Sequence, residues 1–113
     1  YDSFLGQFLL VGMASAPDPE TGRLVTGIYS SVSDNLVNWS RRRLVMAAPS
    51  IHSYRCGGRD PIGYPSVLDP GSQSRTFETA GQYPYLYYTQ FNYQRCRQTP
   101  NRDLVRVPLE ISK

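Results

Sequence analysis

The chain has 113 residues, of which 40% are apolar, 19% are charged and 12% are aromatic. The aromatic content, which includes nine tyrosines, argues against an intrinsically disordered segment. No apolar run reaches the ~18–20 residues that a membrane-spanning helix requires. A formal net charge of +3 is too small to indicate nucleic-acid binding by itself. Length and composition therefore predict one soluble, β-rich domain or a piece of a larger one.

The basic residues are eleven arginines and a single lysine, Lys113. Because the planar guanidinium favours bidentate contacts with carboxylates and stacking on aromatic rings, we expect arginine–tyrosine stacking. The cluster at residues 41–43 is typical of a solvated strand face. A nucleic-acid interface would require this cluster to share one face with Arg95 and Arg97. The cluster is predicted on a strand and the other two arginines in a loop, so we predict no nucleic-acid partner. Because no apolar run is long enough to span a membrane, we predict no membrane partner either.

Cys56 and Cys96 are the two cysteines of the chain. An even number permits one disulfide, which would indicate an oxidising compartment, and two free thiols are the alternative. His52 is the sole histidine, and one histidine without partner carboxylates at ligand spacing makes a poor metal site. We predict no cofactor and no metal, with His52 as the one candidate ligand.

The chain reads as six β-strands in succession. Each is a short apolar run or an alternating segment bounded by Gly, Pro, Asn or Asp, and no long stretch keeps a helical apolar period. Strands that recur at short intervals without helices select an antiparallel all-β fold: a sandwich, a barrel or a propeller. In chain order, the predicted strands cover residues 7–14, 24–32, 39–46, 64–68, 83–91 and 102–111.

The connections between these strands carry many of the polar residues. The first is a Pro-rich loop at residues 15–23. The second is a tight turn at Ser33-Asp34-Asn35, where short polar side chains bond neighbouring backbone groups, and we assign Asp34 as its capping group. The other connections, two of which carry one cysteine each, are 47–63, 72–82 and 92–101.

Four motifs resemble parts of a known fold. The segment Ser33-Asp34-Asn35-Leu36-Val37-Asn38-Trp39-Ser40 resembles the turn between the third and fourth strands of a propeller blade. Tyr64-Pro65-Ser66-Val67 resembles the start of a blade's innermost strand, Tyr85-Leu86-Tyr87-Tyr88-Thr89 its second strand, and residues 102–108 its third. These motifs are similar to those of glycoside hydrolase family 43 and its relatives, which include arabinanases, xylosidases and arabinofuranosidases.

The resemblance implies about two blades of a five-bladed propeller. Residues 1–46 would form the later strands of one blade, and residues 47–113 the long loop and the first three strands of the next. Since a propeller closes with ~4–8 blades, such a segment is incomplete on its own. It would associate with the remaining blades of a parent chain or with copies of itself. A β-sandwich is the alternative fold.

The resemblance also implies that the loops at 15–23, 47–63 and 92–101 face the substrate. Cys56 and Cys96 would then lie at the same end of one blade, which favours the disulfide. Tyrosine rings stack on sugar faces and arginines bind hydroxyls or carboxylates, so these loops would bind carbohydrate. The alternative is ordinary surface residues in stacked pairs. The predicted set is Tyr54, Arg55, Arg59, Asp60, Tyr64, Tyr93, Arg95 and Arg97.

Glycoside hydrolysis requires two carboxylates, about 5–5.5 Å apart for retention and 6.5–9.5 Å for inversion. Where the family's inner strand starts with aspartate, this chain has Tyr64, and we expect Asp60 to pair with Arg55 or Arg59. No catalytic residue is therefore predicted here, and in the parent protein an aspartate base and a glutamic acid donor would lie upstream. This segment would be the C-terminal part of an extracellular or periplasmic glycosidase, supplying a channel wall and fold closure. The alternative is a non-catalytic carbohydrate-binding propeller or β-module.

Overall fold

The computed structural model describes residues 1–113 as two antiparallel sheets of three strands each, with no helix. Consecutive strands pair in both sheets, which have the orders β1-β2-β3 and β4-β5-β6. The predicted antiparallel all-β class is therefore confirmed. No helix long and apolar enough to cross a bilayer is present. The strands are β1 (Phe8–Pro17), β2 (Leu24–Ser33), β3 (Arg43–Ala47), β4 (Ile62–Leu68), β5 (Tyr85–Phe91) and β6 (Arg102–Pro108).

The two sheets pack against each other over one apolar core. Ile28 of β2 and Leu86 and Tyr88 of β5 are buried at its centre, together with Ala48 and Ile62. Because side chains alternate between the faces of a strand, this core takes every second residue, and each large apolar side chain buried there contributes roughly 1.5–3 kcal/mol. Two facing sheets occur both in neighbouring propeller blades and in a β-sandwich. The partly buried residues that surround the core are Val11, Met13, Met46, Val67, Val105, Val107 and Leu109.

β1 is longer than predicted and ends at Pro17. Its ladder with β2 continues to the pair Pro17–Leu24, and the hydroxyls of Ser15 and Thr26 lie 2.6 Å apart across the two strands. Asp18 then closes a short turn, since its N–H donates to the Arg23 carbonyl at 2.8 Å. The predicted loop at 15–23 is therefore confined to residues 18–23.

β3 is shorter than predicted and begins at Arg43 instead of residue 39. Ser40 is the reason. Its hydroxyl accepts a hydrogen bond from the Val32 N–H at 3.0 Å, so a side chain replaces the backbone partner that a strand would supply. Arg41 and Arg42 consequently precede the strand, and of the three arginines only Arg43 lies on it.

The turn after β2 forms as predicted, but its capping group is not Asp34. The Ser33 hydroxyl accepts from the N–H of Leu36 at 2.9 Å, and the Asn35 side chain accepts from the N–H of Asn38 at 2.8 Å. Asp34 points elsewhere and accepts from Nε2 of Gln7 at 3.1 Å. Ser33 and Asn35 therefore cap the turn, and the predicted cap, Asp34, does not.

The second sheet differs from the prediction at its ends. β4 begins at Ile62, two residues before the predicted start, and carries a bulge between Gly63 and Ser66. β6 ends at Pro108, where the ring leaves no N–H for the ladder. Leu109 then donates to the Pro84 carbonyl at 2.9 Å, so the chain beyond β6 stays attached beside the start of β5.

Candidate functional site

The loops at 48–61 and 92–101 lie at the same end of the second sheet. β4 starts where β5 ends, because Ile62 pairs with Gln90. The N–H of Phe91 also donates to the Pro61 carbonyl at 2.9 Å. The loop that enters β4 and the loop that leaves β5 are therefore neighbours.

A disulfide between Cys56 and Cys96 joins these two loops. The Cα atoms are 4.9 Å apart, within the ~4.4–6.8 Å range of such bonds, and no free cysteine remains. The predicted disulfide is confirmed, and the alternative of two free thiols is wrong. The bond links residues 40 positions apart and removes about 3–4 kcal/mol of chain entropy from the unfolded state.

Tyr54 and Tyr93, in the two loops that the disulfide joins, contact each other with their rings tilted. Their ring centroids are 4.3 Å apart with an interplanar angle of 58°, and both side chains are half-buried. Each tyrosine lies two or three positions before a cysteine, so one covalent bond brings both rings together. We define this disulfide-linked cluster as Tyr54, Arg55, Cys56, Tyr93, Arg95, Cys96 and Arg97.

The three arginines of the cluster are exposed and adjoin the cysteines in sequence. Arg55 precedes Cys56, while Arg95 and Arg97 flank Cys96. Guanidinium groups offer several donors in a fixed plane, which suits them to carboxylates and to neighbouring hydroxyl groups. The disulfide-linked loops therefore carry both an aromatic pair and three exposed guanidinium groups.

A tight turn at Gln94–Arg97 presents two of these arginines. The N–H of each of Gln94 and Arg97 donates to the carbonyl of the other, at 2.9 and 3.0 Å. The two central residues, Arg95 and Cys96, have φ angles of 53° and 65°, the sign that a type I′ turn requires. Such turns usually contain Asn or Gly, and the sequence QRCR carries neither. No sequence signal therefore marked this turn.

Tyr64 lies apart from the tyrosine pair. It sits at the β4 bulge with a φ of 53°, and 74% of its surface is exposed. Its ring centroid is 6.0 Å from that of Phe91, and the guanidinium carbon of Arg102 lies 4.9 Å above the same Phe91 ring. Tyr64 thus belongs to an aromatic group on the outer face of the second sheet.

Arg59 and Asp60 do not form the expected ion pair. Nη1 of Arg59 donates to the Ala47 carbonyl at 3.1 Å, which ties the long loop to the end of β3. Asp60 is half-buried and precedes the buried Pro61. His52 is exposed in the same loop, and no group of three His, Cys, Asp or Glu side chains is placed to hold a metal ion.

Most aspartates of the chain bind neighbouring backbone or amide groups. Asp2, Asp18 and Asp69 accept from nearby backbone N–H groups, and Asp103 accepts from Nδ2 of Asn92 at 3.0 Å. A catalytic pair needs two carboxylates that are both available to a substrate. These side chains accept hydrogen bonds within the turns and loops of the fold.

The outer face of the second sheet carries an arginine–tyrosine ladder that the residue-level prediction missed. The guanidinium carbon of Arg106 lies 4.3 Å above the Tyr85 ring, and its Nη1 lies 3.5 Å from the Tyr87 hydroxyl. Hydrogen bonding to Tyr87, followed by electrostatic interaction with Tyr85, raises the pKa of Arg106 above its ordinary value. The general expectation of arginine–tyrosine stacking is confirmed at Arg106 and Tyr85, which lie outside the predicted set of binding residues.

No protein-family model matches the chain, and neither a curated protein nor a solved structure matches it. What the disulfide-linked cluster can bind therefore follows from its own side chains.

Proposed function

We propose that the disulfide-linked cluster is part of a carbohydrate-binding surface in a glycoside-hydrolase-like β-propeller. In this proposal the chain supplies binding and fold closure, and it does not supply the catalytic carboxylates. The observation that carries the proposal is the contact between Tyr54 and Tyr93, whose ring centroids are 4.3 Å apart, in the two loops that the Cys56–Cys96 disulfide joins. The exposed Arg55, Arg95 and Arg97 are adjacent in sequence to the two cysteines.

Sugars present apolar C–H faces and polar hydroxyl edges, and the cluster offers a partner for each. Tyrosine combines an apolar ring with a polar tip, while arginine donates several hydrogen bonds from one plane. The disulfide holds the two loops together before any ligand arrives. This preorganisation reduces the entropy that binding would otherwise have to overcome.

The propeller part of the proposal rests on the order of the motifs along the strands. The motif at 33–40 follows β2, the motif at 64–67 lies on β4, and the motif at 85–89 lies on β5. The resembling family uses these motifs in the same order. A β-sandwich with the same two sheets is the alternative architecture.

A non-catalytic carbohydrate-binding module is the second candidate function. The commitment of Asp2, Asp18, Asp69 and Asp103 to hydrogen bonds within the fold favours it. The two candidates share the binding surface and differ in whether a parent chain adds an aspartate base and a glutamic acid donor. In both, the disulfide suits an oxidising location such as the cell exterior or the periplasm.

Titration of the isotope-labelled, oxidised chain with xylo-, arabino- and uronic-acid oligosaccharides, followed by NMR, tests the proposal. We expect amide shifts at residues 54–56 and 93–97, without hydrolysis of the sugar. Tyr93→Ala should weaken binding about tenfold, since one stacking ring contributes on the order of 1 kcal/mol or more, whereas Tyr93→Phe keeps the ring.

Tyr83→Ala is the matched control for Tyr93→Ala. Tyr83 is 65% exposed and precedes β5, at the opposite end of that strand from Tyr93. Binding should be unchanged in this variant. The proposal fails if no oligosaccharide shifts the cluster, or if the Tyr83 and Tyr93 variants lose affinity equally.

A further inference from the structure

One asparagine of the chain, Asn38, lies in the acceptor motif for N-linked glycans, Asn-X-Ser/Thr. The motif is Asn38-Trp39-Ser40, and its middle residue is not proline, which would exclude glycan attachment. A three-residue motif also occurs by chance, so the surroundings of Asn38 decide whether it can carry a glycan. No serine or threonine stands two positions after any of the other asparagines, which are Asn35, Asn92 and Asn101.

The motif lies in an exposed turn and not in a strand. Every residue from 34 to 42 is exposed, and β3 begins only at Arg43. The predicted strand start at residue 39 would have placed the motif in the ladder beside β2. An N-glycan is bulky and needs a surface position, and the later start of β3 leaves this turn free to provide one.

The side-chain amide of Asn38 makes none of the hydrogen bonds that hold this turn. Its backbone N–H donates to Oδ1 of Asn35 at 2.8 Å, and Nε1 of Trp39 donates to the Leu36 carbonyl at 3.2 Å. The Asn92 amide, by contrast, donates to Asp103 within its own loop. Nδ2 of Asn38 can therefore be modified without loss of a contact that the fold uses.

Exposed apolar side chains flank Asn38 on both sides. Leu36, Val37 and Trp39 are 57%, 77% and 38% exposed. Apolar surface that is concentrated in one place promotes association with other molecules. A glycan attached between these side chains would shield them and would add a solubilising, hydroxyl-rich group.

The Cys56–Cys96 disulfide is an independent observation that points to the same modification. Disulfides form and persist in oxidising compartments, among them the lumen of the endoplasmic reticulum. N-glycans are added in the same lumen. A chain that acquires its disulfide on this route therefore also meets the glycan-transferring enzyme.

We propose that Asn38 is an N-glycosylation site whose donor is a lipid-linked oligosaccharide diphosphate. Nδ2 of Asn38 forms a bond to C1 of the first sugar, and the bond between C1 and the diphosphate oxygen breaks. The lipid diphosphate leaves with the electron pair, and the amide nitrogen gives up one proton. The transfer needs no oxidant or reductant.

The glycan would lie away from the disulfide-linked cluster. Asp34, in the same turn, accepts from Gln7, and Asp2 pairs with Ala80 in the connection between β4 and β5. This connection is at the opposite end of the second sheet from the loops before β4 and after β5, which carry the disulfide. The proposal therefore holds whether or not the cluster binds carbohydrate.

Secretion of the full chain from a eukaryotic cell, followed by mass spectrometry with and without peptide-N-glycosidase, tests the proposal. We expect a glycoform whose added mass the enzyme removes, leaving aspartate at position 38. Peptide mapping of the same sample without reductant should show Cys56 joined to Cys96, so that passage through an oxidising compartment is verified. Secreted chains that carry the disulfide and no glycan overturn the proposal.

Asn38→Gln should abolish the glycoform and leave the turn intact, since the side chain holds none of its hydrogen bonds. Asn101→Gln is the matched control, because Asn101 is exposed and lies outside the motif, and its glycoform should persist. A glycan that survives in Asn38→Gln is attached elsewhere and overturns the proposal. Loss of the glycan in Asn101→Gln does the same.

Ser40 needs its own pair of variants, because its hydroxyl also accepts from the Val32 N–H at 3.0 Å. Ser40→Thr keeps both the hydroxyl and the motif and should retain the glycoform. Ser40→Ala removes the hydroxyl and should lose it, with the cysteine pairing checked in the same sample as a measure of folding. A glycoform that persists in Ser40→Ala contradicts attachment through this motif.

Discussion

Gly27 on β2 lies so close to the backbone of Met46 on β3 that an added Cβ would overlap the Met46 carbonyl oxygen. Gly27 pairs with Ala47 at the end of this short strand, next to the register shift between Ile28 and Tyr29. The absence of a side chain at position 27 therefore allows β3 to approach β2 and complete the first sheet.

Gly27→Ala should lower the free energy of unfolding by about 1–3 kcal/mol or more, because the clash is with backbone that cannot move aside cheaply. Urea denaturation followed by tryptophan fluorescence measures the change. Gly12→Ala is the control, since the space around Gly12 is open and its effect should be small. Equal destabilisation by both variants would show that the contact with Met46 is not responsible.

Replacing both Cys56 and Cys96 with serine should lower the free energy of unfolding by about 3–4 kcal/mol, mainly by freeing the unfolded chain. Denaturation of the two forms without reductant measures the difference. Reduction of the unsubstituted protein should cause a similar loss. A variant as stable as the oxidised chain would contradict the role given to the disulfide.

Arg95→Gly should raise the free energy of unfolding by about 1 kcal/mol, because glycine adopts a positive φ without the Cβ clash that arginine suffers at φ 53°. Arg97→Gly is the matched control and should lower stability, since Arg97 has no positive φ to relieve. Thermal unfolding of the two variants, with the disulfide intact, gives the comparison. The same sign for both would refute the assignment of strain to the turn.

Asp2→Ala should reduce stability by about 0.5–2 kcal/mol, as for the loss of other side-chain caps. Asp2 is fully buried, and its Oδ1 accepts from the N–H groups of Phe4 and Leu5 at 3.0 and 2.9 Å. Asp2→Asn keeps an oxygen acceptor for these two N–H groups, so it should retain more stability than Asp2→Ala. Chemical denaturation of both variants shows whether Asp2 stabilises the fold as a hydrogen-bond acceptor or through its negative charge.

The six strands could be predicted because each is a compact apolar or alternating segment between turn residues. The start of β3 could not, because it depends on whether the Ser40 hydroxyl or a backbone group bonds Val32. The predicted cap of the turn after β2, Asp34, is wrong for a related reason. Ser33, Asp34 and Asn35 all have suitable side chains, and only the tertiary contact of Asp34 with Gln7 removes it from the turn.

The candidate site was predictable at the level of loops but not of contacts. Antiparallel connectivity brings the loops before β4 and after β5 to one end, and the two cysteines mark their junction. The tilted contact between Tyr54 and Tyr93 follows the Gln94–Arg97 turn, which has positive φ angles although neither central residue is glycine or asparagine. The bulge that separates Tyr64 from this pair likewise lacks a local signal other than Pro65.

Cys56 and Cys96 bracket the connection between β4 and β5, which contains the exposed Arg75. A single tryptic cut after Arg75 would therefore divide the polypeptide without releasing either part. The nicked molecule should migrate as one band on a non-reducing gel and as two bands after reduction. Cleavage in this connection would consequently escape detection unless thiols are added.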